Sequence, residues 1–181
     1  MLDKNQIETA RLKAITYFKK AGIILTEKEK NTIEIADFGL SDLEKIGIEV
    51  LIYVNTAKVC AKEIVMFPGQ TCPEHIHPSK NGITGKEETF RCRWGKVYLY
   101  IPGEKNHKPK LEGLDNHKEF LKMAHEIVLN PGEQYTLMSD TWHWFRAGRK
   151  GAVVSEFSTT STDDQDTFRD PRIMRFTKIK E

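Results

Sequence analysis

The chain has 181 residues, 39% of them hydrophobic and 30% charged, enough for one domain with a real core. The formal net charge is +2, so nothing points to nucleic acid or an anionic membrane surface as a partner, and no apolar run approaches a membrane span. The cysteines Cys60, Cys72 and Cys92 are odd in number and MLDKNQIETARLK lacks an apolar signal core, so the expected compartment is the cytoplasm, with thiols reduced.

The N-terminal region reads as helical. Ile7, Ala10, Ala14, Ile15, Phe18 and Ala21 recur at roughly helical spacing across residues 4–22, and Gly22 suits the helix end. A second short helix is expected from Ser41, because Ser41 and Glu44 have capping-box spacing. From Ile48 the character changes. VLIYVNT, KVCAKEIVMF, GKVYLYI, EIVLN, YTLM and AVVSEFS are short and rich in β-branched or aromatic residues, with turn pairs such as Pro68-Gly69, Asn81-Gly82 and Pro131-Gly132 between them. This pattern predicts a mainly β sandwich or barrel. Residues 1–47 form a helical extension packed on it, and residues 48–181 the barrel domain with a C-terminal tail. The polar residues 103–124 read as a long inter-strand excursion.

PEHIHPSKNGITGKEETFRCRWG, residues 73–95, carries the chemistry. On an extended backbone His75 and His77 project from one face, and Pro78 favours extension before it. Glu88 opens the next strand, where one antiparallel neighbour brings its carboxylate to the imidazoles. His143, in SDTWHWFRAG, is a fourth candidate. Three imidazoles and a carboxylate suit a borderline divalent ion: Mn²⁺, Fe²⁺, Co²⁺, Ni²⁺ or Zn²⁺. A lone histidine here would be read as a solvated loop residue; the set of four favours metal.

Gly69-Gln-Thr-Cys-Pro-Glu-His75-Ile-His77 resembles the first cupin motif, and Glu88 with Gly95 has the separation of that motif's glutamate and glycine. Glu87 is one residue off and reads as a bystander. The gap from His77 to Glu88 is longer than usual, so SKNGITGKE reads as an inserted loop at the mouth. PGEQYTLMSDTWHWFRAG resembles the second motif, with His143 at the ligand position. It departs in having Ala147 where asparagine is usual and Met138-Ser139-Asp140 where a Pro-x-Gly turn is usual. The resemblance covers about residues 48–158 and implies a jelly-roll barrel with one metal inside. The inserted loop, the helical extension, the KEETFRCRWGKVYLY strand and the tail VVSEFSTTSTDDQDTFRDPRIMRF extend it to the D-lyxose isomerase family of cupins.

That resemblance implies an aldose–ketose isomerase acting through an enediol on D-lyxose and D-xylulose, with D-mannose and D-fructose as a further substrate pair. It also implies Mn²⁺ as the first choice of metal and a homodimer. Such a reaction needs a base for the carbon proton and an acid for the oxygen. Glu156 is the expected base and Lys62 its partner, although a surface strand lysine is an equal reading of Lys62. Asp166 and Arg169 are candidates for sugar hydroxyls, or equally for anchoring the tail. Trp144 is expected as an aromatic wall beside the sugar, or as barrel lining with Trp142 and Phe145. Cys72 reads as out of phase with His75 and His77, and His107, His117 and His125 as solvated. No arginine cluster awaits a phosphate, which favours a free sugar. The competing classes are an Fe²⁺-dependent cupin dioxygenase and a non-catalytic metal- or sugar-binding cupin.

Overall fold

The computed structural model describes residues 1–180. Helix α1 (Lys4–Lys20) starts at Asp3, which forms a capping box with Gln6, and its buried Ala10, Ala14, Tyr17 and Phe18 lie on one face. Helix α2 (Glu27–Thr32) follows, capped by Thr26 and Glu29 in the same reciprocal way. The helix expected at Ser41 does not form. The buried Asp37 carboxylate accepts hydrogen bonds from the amides of Gly39 (3.0 Å) and Ser41 (3.2 Å). The chain therefore turns with positive φ at Phe38, Gly39 and Ser41, and a side chain that gathers nearby amides outcompetes helix nucleation.

The strands are β1 (Glu34–Ala36), β2 (Ile48–Asn55), β3 (Cys60–Met66), β4 (Thr71–Ile76), β5 (Glu88–Ile101), β6 (His125–Leu129), β7 (Gln134–Leu137), β8 (His143–Ser158) and β9 (Thr167–Phe168). They make one nine-stranded curled sheet, the mainly β architecture expected from the sequence. The long strands β5 and β8 pair along most of their length. The first half of β8 also pairs with β4, and its second half with β3. The residues before Ile48 are not purely helical, because β1 pairs with β2 and adds a strand to the sheet.

Alternation along the strands separates two cores. Val50, Ile64, Phe90 and Val154 point inward with Leu99 and Phe145, while Leu51, Val65 and Val153 point outward beneath α1. Phe18 is fully buried in the outer core, where truncation of such a side chain costs about 3–5 kcal/mol. Gly95, at φ +80°, allows β5 to cross β8 closely: a Cβ there would lie 2.1 Å from the Gly151 carbonyl oxygen.

Candidate active site

The inward face decides which polar residues meet. Lys62 and Glu156 are register partners on β3 and β8, on the same face as Ile64 and Val154, so both enter the barrel. Glu88 starts β5, and His75 and His143 are partners on β4 and β8. One ligand atom from each of His75, His77, Glu88 and His143 lies within 4.8 Å of all the others, and all four residues are buried.

The three imidazoles are oriented from behind. His75 Nδ1 donates to the Pro73 carbonyl and His143 Nδ1 to the Thr141 carbonyl, each at 2.9 Å. His77 Nδ1 donates to Asp166 Oδ1 at 2.5 Å. Each Nε2 is thereby turned toward the centre, the arrangement that second-sphere acceptors impose on metal-binding histidines. His143 Nε2 is buried and lacks a hydrogen-bond partner, though it lies 3.0 Å from Glu88 Oε1. An orphaned nitrogen beside a carboxylate, with two more imidazoles alongside, is a donor set that a divalent cation satisfies. Burial, reinforced by the neighbouring His143 and His77, holds His75 well below its ordinary pKa, so it stays neutral, the form in which an imidazole can bind a metal. Burial also pulls His77 down, but Glu88 and Asp166 outweigh it and raise it to about 9. Glu88 is held well below the usual carboxylate range despite burial, chiefly by Lys86 and His77.

A second constellation adjoins the first. Lys86 Nζ lies 2.6 Å from Glu88 Oε2 and 3.0 Å from Glu156 Oε1, so one ammonium bridges the ligand set and the proposed base. Lys62 Nζ lies 3.5 Å from Glu156 Oε1 and 3.3 Å from Asp163 Oδ2. Both lysines are charged at neutral pH: burial works against the charge, but the surrounding carboxylates outweigh it. Asp163 sits in a single 3₁₀ turn, Asp163–Gln165, and Arg175 ties it to Glu34. Phe38, Val50, Phe90 and Phe168 line the rest of the cavity.

Asp166 lines this cavity, where it orients His77. Glu87 is exposed and Glu88 is buried. Four expectations need correction. Trp144 faces away from the cavity, because alternation along β8 puts it opposite His143. It is fully buried, stacks on Tyr100 at 3.8 Å, and donates its indole N–H to the Met123 carbonyl. Arg169 anchors the tail instead of lining the cavity: it pairs with buried Glu74 at 2.8 Å and covers the Trp142 ring. Cys72 is in phase after all, since a bulge between Cys72 and His75 turns both into the cavity, where burial pushes the thiol pKa well up. His117, expected in solvent, is buried with Nε2 3.5 Å from Asp42.

Sequence reasoning missed Lys86, Asp163 and Arg175. Lys86 was within reach, because it is two residues before Glu88 and shares its face. Asp163 and Arg175 lie in irregular backbone with no period to read.

The model of the family described as D-lyxose isomerase matches residues 24–181. The chain belongs to the D-lyxose isomerase family. It is 54% identical over its full length to the D-lyxose/D-mannose isomerase of Thermosediminibacter oceani, with all of that protein covered as well. It is 51% identical over 179 residues to the D-lyxose ketol-isomerase of Thermofilum sp., covering 99% of both chains. Among solved structures, the L-ribose isomerase of Acinetobacter sp. DL28, crystallised with L-ribose, superposes with a TM-score of 0.79 at 16% identity, over 99% of this chain and 98% of that one. The ligand-free L-ribose isomerase of Cellulomonas parahominis gives 0.76 at 16% identity, with the same coverage. At that identity the likeness is one of fold: the cupin-type barrel with its helical N-terminus.

Proposed function

We propose that this protein is a metal-dependent aldose–ketose isomerase that interconverts D-lyxose with D-xylulose, and D-mannose with D-fructose, by proton transfer through an enediol. The observation that carries the reading is the adjacency of two sets in one barrel: four metal-type donors, and a buried carboxylate with two ammonium groups within 3.5 Å of it. A divalent cation held by His75, His77, Glu88 and His143, with Mn²⁺ the first choice, would supply Lewis-acid polarisation of the sugar oxygens. Among the described residues no other group of histidine, cysteine or carboxylate side chains clusters this closely.

Glu156 takes the proton from C2 of the aldose, and a lysine ammonium protonates O1, giving the neutral enediol. The lysine then recovers the proton from O2 while Glu156 returns its proton to C1, which yields the ketose. Lys62, expected in this role, shares it with Lys86, which is nearer to Glu156. The cavity as it stands has a volume of about 30 Å³, room for roughly one water, so a sugar enters by displacing lining side chains. The unbranched Lys62 and Lys86 can swing to meet its hydroxyls. The cations Lys62, Lys86 and Arg175 are matched by Glu88, Glu156, Asp163 and Glu34, so the cavity offers no surplus positive charge to a sugar phosphate.

The reading includes a cytoplasmic homodimer. The β1 side of β2 is paired only at Ile48–Val50, and the exposed Ile52, Tyr53 and Val54 beyond it suit a second copy of the chain. Neither an oxygenase nor a binding protein needs the lysine–carboxylate set. Incubation with D-lyxose and Mn²⁺ without oxygen tests the reading: D-xylulose should form. Oxygen-dependent consumption, or sugar bound without turnover, would overturn it.

A further inference from the structure

We propose that Asp163, braced through Arg175 by Glu34, is a positioning residue that holds the Lys62 ammonium away from the Glu156 carboxylate. The inference rests on the reading of Glu156 as the base. Two lysines share three carboxylates here. Lys86 is held by Glu88 and Glu156, at 2.6 and 3.0 Å, and lies farther from Asp163, at 4.0 Å. Lys62 is held mainly by the C-terminal segment: its nearest partners are Ser161 Oγ at 3.0 Å and Asp163 Oδ2 at 3.3 Å, with Glu156 farther at 3.5 Å. Ser161 Oγ in turn donates to Asp163 Oδ1.

Asp163 is fixed from behind. Arg175 Nη2 meets Asp163 Oδ2 at 2.8 Å, and Nη1 meets Glu34 Oε1 at 2.5 Å, so one planar guanidinium clasps a carboxylate on each side. Glu34 belongs to β1 and Asp163 to the tail, so the two ends of the chain join to set one lysine. Without the Asp163 charge, Lys62 has only Glu156 as an ionic partner. The ammonium closes on that carboxylate, occupies the space the C2 hydrogen must reach, and makes the base weaker. None of Glu34, Arg175 and Asp163 belongs to the ligand group, so metal retention is independent of them.

The test uses the metal-loaded full chain with D-lyxose. Asp163→Asn is expected to lower kcat on the order of 10-fold, a part of the roughly 100-fold or more that a positioned general base contributes, with KM and metal content nearly unchanged. Asp163→Glu should restore much of the loss, and Glu34→Gln should give a smaller drop in kcat. A merely structural contact would lower the melting temperature and leave kcat alone, and a direct sugar contact would raise KM; either result overturns the proposal. If Asp163→Asn fails to fold, Glu34→Gln and Arg175→Lys decide: lower kcat at constant KM in both supports it, and normal kcat in both overturns it. Glu156→Gln is the control. Full turnover there removes the base assignment and this inference with it. An inactive Glu156→Gln beside a fully active Asp163→Asn removes the inference alone.

Discussion

The two ends of the cavity are built by different means. At the ligand end, two of the three histidines are oriented by carbonyls two residues upstream, Pro73 for His75 and Thr141 for His143. At the acid–base end the ion pairs on Glu156, and that of Lys62 with Asp163, are long-range: Lys62, Lys86, Glu156 and Asp163 come from β3, the inserted loop, β8 and the tail. Local backbone holds the first end in place, whereas the second depends on the charges of its neighbours. The ligand end should therefore fail all at once when a ligand is lost, and the acid–base end should fail by degrees.

The largest effect is expected at the ligand end. His143→Ala should abolish both metal retention and turnover while the chain still folds, checked by metal analysis and circular dichroism. Glu88→Gln should do far more harm than Glu87→Gln. Next comes Lys86, which belongs to both ends. Lys86→Met should lower turnover on the order of 100-fold, as for a lost proton donor, yet raise metal affinity, because an ammonium 2.6 Å from Glu88 competes with the cation. Titration calorimetry with Mn²⁺ would show whether those effects part in opposite directions. Asp166 is the one side chain among the three acceptors behind the histidines. Asp166→Asn should weaken metal binding by roughly 10- to 100-fold, without the complete loss expected of His143→Ala.

The smallest effect lies away from both ends. Glu49 is fully buried on β2, its Oε2 has no partner, and burial raises its pKa to about 8 against Gln70 and Lys13. The folded chain therefore keeps a proton that the unfolded chain releases above its ordinary value of 4.5. That contribution to stability is fully present below this value and is lost as pH rises through about 8. Glu49→Gln should match the parent in melting temperature near pH ~5 and exceed it near pH ~9, with turnover unaffected.

The same contrast decides how much could be read from the sequence. His-x-His on an extended segment, Glu88 at the start of a strand and an aromatic-flanked His143 carry their geometry in local spacing, so the ligand set was legible. So was the inward aim of Lys62 and Glu156, because strand alternation fixes it. Strand alternation alone misplaces Cys72, because a bulge adds one residue to β4 and no spacing rule announces a bulge. Ser41 and Glu44 have capping-box spacing but start no helix, because Asp37, four residues upstream, takes the Ser41 amide that Glu44 would take and Ser41 has positive φ. Trp144 is a different case: His143 at the ligand position already implied that its neighbour faces away. Asp163, Arg175 and Glu34 meet only through tertiary folding, since 141 positions separate Glu34 from Arg175.

The central claim is that Glu156 moves the carbon proton, and isomerisation by Glu156→Gln in deuterated solvent tests it most directly. The variant should retain its metal and bind sugar. Turnover should fall by a factor on the order of 100 or more, and solvent deuterium should no longer enter at C2 of the aldose. Normal turnover with deuterium still entering at C2 would contradict the account, and would move the base to Lys62 or Lys86.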